Sequence, residues 1–117
     1  MSTGLIDQAM NYLADNDTRE HESLRTGGGV DAYKRNGIVT IIVYINPISL
    51  STSYTNIGTL PVGWRPSTTI YTGGMQLSAD VSALTTYAIS TDGAVLVRRA
   101  SGSGSLQIGT CISFSVA

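Results

Sequence analysis

From Tyr33 onward, apolar and polar positions follow the patterns of β-strands. The segment Gly37–Asn46, GIVTIIVYIN, is apolar at nearly every position. This indicates a strand buried on both faces, or one that buries one face in its own core and the other against a neighbouring subunit. Further short strands are predicted at Ser49–Gly58, Ser67–Thr72, Leu84–Ser90, Ala94–Ala100 and Ser105–Ala117. Strands at roughly 8 to 12 residue spacing are typical of sandwiches, so we predict an all-β fold, an antiparallel, jelly-roll-like β-sandwich.

Three short segments between these strands have the composition of turns. Asp92-Gly93 is the strongest hairpin signal and predicts a type I′ turn, with positive φ at both residues. Thr72–Gly74 predicts a second turn. The SGSGS run at Ser101–Ser105 has the composition of a flexible linker, but a strand follows it, so we interpret it as a hairpin loop.

The N-terminal part of the chain has a different pattern. Gly4–Leu24 is polar and charged, with apolar residues spaced three or four apart at Ile6, Met10 and Leu13, which predicts a short amphipathic helix. A helix of this length is marginal alone, so it needs to pack against the β-domain or against copies of itself. The TGGG run at Thr26–Gly29 ends the helix and predicts a hinge. We therefore divide the chain into an N-terminal helical stem with its hinge, residues 1–29, and a β-sandwich head, residues 30–117.

The segment Leu60–Pro66, LPVGWRP, lies between two predicted strands but cannot pair as a strand along its whole length. Pro61 and Pro66 each hold the preceding residue extended, and Gly63 permits a positive φ, so the segment is predicted to be a stiff bend. Such a bend holds Trp64 at a fixed place. Trp64 is then either a plug over one end of the core, which we favour, or an exposed platform for a ligand.

Charge and composition exclude several classes of partner. Only 13% of the 117 residues are charged and the net charge is -1, so no basic surface points to nucleic acid or to an anionic membrane. No segment approaches the roughly 18 apolar residues of a membrane span, and the N-terminus lacks the layout of a secretory signal. A hydrophobic content of 42% with so little charge predicts that part of the surface is buried against other chains.

The residues that carry catalysis are sparse. Hydrolysis of a polysaccharide usually takes two carboxylates, yet after Gly37 the only acidic residues are Asp80 and Asp92, and the turn explains Asp92. His21 is far in sequence from Cys111, whose apolar flanks indicate a small buried hydrophobe in a strand. No His, Cys or carboxylate cluster has metal-ligand spacing. We therefore expect no enzyme activity, no metal and no cofactor.

Several segments together resemble a known family. Tyr33–Ile45 with its basic pair and Asn-Gly, the run IGTLPVGWRPS, the run ISTDGAVLV and a final short strand resemble the C-terminal head domain of tailed-phage and prophage tail-fibre or baseplate proteins. The resemblance covers Tyr33–Ala117. It implies a β-sandwich homotrimer at the tip of a fibre, with a stem on its N-terminal side, that binds host-surface saccharide and assembles with other virion tail proteins. It also implies synthesis in the host cytoplasm and a final location at the virion tail tip.

The candidate ligand contacts lie in and after the LPVGWRP segment. If Trp64 is buried, its neighbour Arg65 points outward, because side chains alternate along an extended segment. We therefore expect Arg65, with Tyr71 on the following strand, to contact the saccharide, and Trp64 to do so only if it is a platform. The alternative function is a purely structural cap that trimerises and registers a virion fibre without binding a receptor. Composition does not separate the two.

Overall fold

The computed structural model describes residues 20–74 and 84–116, and in these ranges the regular structure is all β. The strands are β1 (Glu20–Ser23), β2 (Val30–Arg35), β3 (Ile38–Leu50), β4 (Thr55–Thr59), β5 (Ile70–Gly73), β6 (Thr85–Ile89), β7 (Ala94–Arg99) and β8 (Gly104–Ser115). The predicted all-β fold class is confirmed.

The strands form two antiparallel sheets that share one core. Sheet A has the order β1-β2-β3-β8 and sheet B the order β4-β7-β6-β5. Strand β3 pairs with β8, β4 with β7 and β5 with β6, a nested arrangement that is jelly-roll-like. The core side chains come from both sheets and from the LPVGWRP segment, which together form one hydrophobic cluster. The predicted antiparallel sandwich is confirmed.

Strand β3 buries only one of its two faces within the chain. Val39, Ile41, Val43 and Ile45 point into the core, whereas the alternate residues Ile38, Ile42 and Tyr44 are 46%, 44% and 57% exposed. Burial on both faces within the chain is therefore wrong. With the half-buried Thr40, which lies between Ile38 and Ile42, these outward side chains form a mainly apolar stripe on the outer face of sheet A.

The predicted helix at Gly4–Leu24 is wrong over its last residues, and residues 4–19 lie outside the described part of the chain. Glu20–Ser23 forms strand β1 and pairs with β2. Cross-strand contacts explain the strand: the His21 ring stacks on Tyr33 at 4.7 Å between centroids, and His21 Nε2 lies 2.9 Å from Asp31 Oδ1. These long-range contacts outweigh the weak local preference of a short polar segment for helix.

The TGGG run forms the turn between β1 and β2 rather than a hinge between two units. Gly27, Gly28 and Gly29 all have positive φ, at 91°, 86° and 94°. A Cβ at Gly29 would also lie 2.7 Å from the Tyr44 carbonyl oxygen, so a side chain does not fit there. Residues 20–23, which the prediction placed in the stem, thus belong to a sheet of the head.

A type I′ turn is present, but not at Asp92-Gly93, where it was predicted. The type I′ turn lies at Asn36-Gly37, with φ of 52° and 75°, between the paired residues Arg35 and Ile38. In the Asp92-Gly93 turn only Gly93 has a positive φ, and its N–H donates to the Ser90 carbonyl at 2.9 Å. That pattern fits a three-residue loop, a type I turn followed by a left-handed glycine, so the predicted type I′ turn is wrong.

Two further expectations about the C-terminal part are corrected. The SGSGS segment joins β7 in sheet B to β8 in sheet A, so it crosses between the sheets and is not a hairpin loop. Cys111 is exposed rather than buried. Thr110 and Ile112 point into the core, and the strand alternation therefore places Cys111 on the outer face, opposite Ile42.

Candidate functional site

The LPVGWRP segment is a tight bend fixed by backbone and side-chain hydrogen bonds. The Trp64 N–H donates to the Pro61 carbonyl at 3.1 Å, and Gly63 has the predicted positive φ, 92°, as a type II turn requires. Lys34 Nζ reaches across from β2 and donates to the Gly63 carbonyl at 3.0 Å. The Leu60 N–H donates to the Gly93 carbonyl at 2.9 Å, which attaches the bend to the β6–β7 turn.

Trp64 is buried at the end of the core. Its side chain is only 7% exposed and belongs to the hydrophobic cluster that both sheets share. This is the position that the plug interpretation predicts. A ring so covered offers almost no face on which a sugar could stack.

Arg65 lies in a cleft between the bend and the end of β8. The cleft has a volume of about 450 Å³ and is lined by Gly63, Arg65, Ser67, Ser115 and Val116. Arg65 Nε donates to the Leu60 carbonyl oxygen at 2.9 Å, so one edge of the guanidinium is fixed to the backbone. The two terminal amino groups of the guanidinium take no part in this bond.

Tyr71 is exposed on β5, an edge strand of sheet B. It pairs with Ala88 of β6 and does not line the cleft that holds Arg65. The structure therefore places the three predicted contact residues in three environments: Trp64 in the core, Arg65 in the cleft and Tyr71 on the outer surface of the other sheet.

Asp92 is the acidic neighbour of Arg65. The Ser90 hydroxyl and the Ala94 N–H both donate to Asp92 Oδ1, and these bonds, with a smaller contribution from the Arg65 charge, lower the pKa of Asp92. The carboxylate is therefore held by its own turn and not by the guanidinium. Asp92 closes the β6–β7 turn and leaves the amino groups of Arg65 available to a ligand.

The fold is similar to that of a solved phage structure, the head domain of phage bIL170, which was described in a study of the receptor-binding domains of lactococcal phages. The superposition has a TM-score of 0.57 and 15% sequence identity, and it covers 86% of this chain and 100% of that one. The chain shares the fold of that head domain. No protein-family model and no curated protein sequence matches it. The resemblance to phage head domains that the sequence motifs indicated is thus confirmed in the fold.

A second concave surface lies on the outer face of sheet A, and none of its residues is among the predicted ligand contacts. It has a volume of about 300 Å³ and is lined by Tyr33, Arg35, Asn36, Ile38 and Thr40, around the β2–β3 turn. The alternation of β2 places Tyr33 and Arg35 on one face, a signal that was present in the sequence.

The chemistry available at these surfaces is hydrogen bonding and charge. Within residues 20–74 and 84–116 no group of three His, Cys, Asp or Glu side chains could hold a metal ion. In the same ranges no helix is long and apolar enough to span a membrane. What the cleft does present is a guanidinium, two serine hydroxyls and backbone groups, the polar set by which a protein binds an oxygen-rich ligand.

Proposed function

We propose that this chain is a receptor-binding module of a phage or prophage tail, and that it binds host-surface saccharide as a homotrimer. The observation that carries the proposal is the fold shared with the bIL170 head domain over the whole of that domain. In this proposal the module lies at the virion tail tip, contacts other tail proteins and binds its ligand without a cofactor and without catalysis.

The Arg65 cleft supports the saccharide part of the proposal. Its volume, about 450 Å³, is within the range of small-ligand sites. Ser67 and Ser115 supply hydroxyls that donate or accept, and Arg65 supplies donors only. Sugar hydroxyls both donate and accept, so this combination suits them. Tyr71 is exposed outside the cleft and offers a second, separate aromatic contact.

The apolar stripe on sheet A supports the homotrimer. Ile38, Ile42 and Tyr44 are large, exposed and on one face of a single strand. Soluble domains rarely leave a contiguous apolar patch uncovered, and such patches mark sites of association. Three copies of the stripe can meet around a threefold axis, which buries one copy's stripe against the others.

The same stripe also favours the alternative function, a structural cap that trimerises and registers a fibre without binding a receptor. Assembly through the stripe needs no ligand. The two functions therefore share the trimer and differ in whether the protein binds a bacterial surface.

Binding of the fluorescently labelled protein to a panel of bacterial strains separates the two functions. Each strain is tested untreated, after periodate oxidation of its saccharides and after protease treatment of its surface proteins. The receptor-binding proposal predicts binding to at least one strain that periodate abolishes and protease does not. A folded trimer that binds no strain supports the structural cap, and binding lost to protease alone contradicts the saccharide ligand.

A further inference from the structure

The guanidinium of Arg65 is held in place before any ligand arrives. Its Nε donates to Leu60 at 2.9 Å, and its stem lies directly over Gly93, where a Cβ would come within 2.6 Å of Nε and 3.1 Å of Cδ. The two terminal amino groups have no hydrogen-bond partner in the described part of the chain. A fixed guanidinium with a free edge loses little rotamer freedom when it forms new bonds.

We propose that the Arg65 cleft recognises an anionic substituent of a saccharide, a carboxylate or a phosphate, with the terminal amino groups of Arg65 as its direct contact. The inference rests on the proposed saccharide-binding function and adds the class of ligand. Planar guanidinium groups bind carboxylate and phosphate through two parallel hydrogen bonds, stronger than bonds to neutral oxygens. Ser67 and Ser115, on the walls of the same cleft, supply hydroxyls for the rest of the sugar.

The charges near Arg65 are compatible with an anionic ligand. Asp92 is the nearby carboxylate, but Ser90 and Ala94 already hold its Oδ1. No salt bridge joins Asp92 to Arg65 among the described residues. Lys34, on strand β2, donates to the carbonyl of Gly63, a residue that lines the cleft, and so brings a second positive charge close to the cleft. Two positively charged side chains, Arg65 and Lys34, therefore lie in or beside the cleft.

The test is titration of the isotope-labelled protein with glucuronate, glucose 6-phosphate and glucose, followed by amide chemical shifts. Glucuronate and glucose 6-phosphate should shift the amides of Gly63, Ser67, Ser115 and Val116, and should bind about tenfold or more tightly than glucose, because bonds to charged groups are the stronger ones. Binding should weaken as salt is raised. The two acidic sugars distinguish a site for carboxylate from one for phosphate.

Arg65→Gln should weaken binding of the acidic sugars by about tenfold or more and should weaken binding of glucose less, because hydrogen bonds between charged groups are the stronger ones. Arg25→Gln is the matched control, since Arg25 also donates to a backbone carbonyl, that of Gly28 at 3.1 Å, in a turn away from the cleft. Should Arg65→Gln fail to fold, the wild-type shift map decides alone.

Equal binding of glucose and the acidic sugars overturns the inference, as do shifts confined to residues outside the cleft. Its failure is separable from failure of the proposed function. If periodate abolishes binding to cells but the acidic sugars cause no chemical-shift changes, the anionic ligand is contradicted and the saccharide-binding function is still supported. If the protein binds no strain, the receptor-binding function is contradicted. The titration with acidic sugars uses no cells, so its result tests the anionic ligand separately.

Discussion

At the scale of single residues, two neighbours in the LPVGWRP bend, Trp64 and Arg65, lie in opposite environments. Trp64 is buried in the core, and Arg65 faces a cleft at the surface. Their opposite orientations could be predicted from the sequence, because the two prolines indicate an extended segment and side chains alternate along it. The bond from Arg65 to the Leu60 carbonyl could not be predicted, since it depends on how the bend folds back on itself.

Replacement of Trp64 tests the plug. Trp64→Ala should destabilise the fold by about 3–5 kcal/mol, the usual cost of removing a buried tryptophan. Val62→Ala, at an 83% exposed position of the same bend, is the control and should change stability by less than about 0.5 kcal/mol. Denaturant midpoints measure the stability of both variants. In the wild-type protein, the fluorescence of Trp64 should be blue-shifted and insensitive to added saccharide. A stable Trp64→Ala protein that has lost saccharide binding would show that the ring is a platform.

Replacement of Gly93 tests the support of Arg65. Gly93→Ala should cost about 1–3 kcal/mol, because a non-glycine residue is strained at its φ of 90°. Its Cβ would also lie 2.8 Å from the Leu60 carbonyl oxygen and displace Arg65. Gly73→Ala is the control, since nothing lies within 4 Å of a Cβ there and its φ is not positive. Equal denaturation midpoints for the two variants would mean that the Asp92-Gly93 turn is misplaced.

At the scale of elements, most strands could be predicted, whereas β1 and β2 were not. Strands β3, β6, β7 and β8 lie where β-branched and apolar runs predicted them. Strand β1 is polar, and it pairs with β2 residues that lie from 8 positions away (Ser23 with Asp31) to 14 positions away (Glu20 with Lys34), so no local pattern reveals it. The outward position of Cys111 could have been predicted from strand alternation, because Ile108, Thr110 and Ile112 all point inward. The apolar residues beside Cys111 suggested burial instead.

The β6–β7 turn should make stability depend on acid pH. Its hydrogen bonds from Ser90 and Ala94 lower the pKa of Asp92 below its ordinary value of 3.8. A carboxyl with a lowered folded-state pKa contributes stability above the ordinary value, and the contribution is lost as the pH falls through the folded pKa. Asp92→Asn should therefore be less stable than wild type near neutral pH.

The difference in free energy of unfolding between wild type and Asp92→Asn should disappear at acid pH. Denaturant unfolding of wild type and Asp92→Asn from about pH 7 to about pH 2 measures it. Ser90→Ala, which removes the hydroxyl donor and keeps the carboxylate, should narrow the pH dependence without abolishing it. A gap that stays constant over the whole range would contradict the role of the ionised carboxylate.

At the scale of the whole molecule, the outer face of sheet A is the interface that the proposed homotrimer would use. The sequence indicated that β3 is apolar on both faces, and the fold shows which side chains are left outside. The sequence does not identify what covers these outward side chains, because the pattern of a single chain indicates burial and not the identity of the partner. The homotrimer and the ligand remain proposals that rest on the stripe and on the cleft.

Replacement of Ile42 tests the homotrimer. Light scattering at micromolar concentration should give three times the chain mass for wild type. Ile42→Asp should give the monomer mass, since a charge in the buried stripe loses its solvation. Val62→Asp adds the same charge at an exposed aliphatic residue outside sheet A and should remain trimeric. A monomeric wild type, or an Ile42→Asp protein that still assembles, would contradict the stripe as the interface.

Saccharide binding by this head can be measured on an array of bacterial capsular and cell-wall saccharides probed with the purified protein. We expect binding to at least one saccharide, retained by Arg25→Gln and lost or strongly reduced in Arg65→Gln. Silence across the array, from a protein that is folded and trimeric in solution and that binds no bacterial strain, would contradict it.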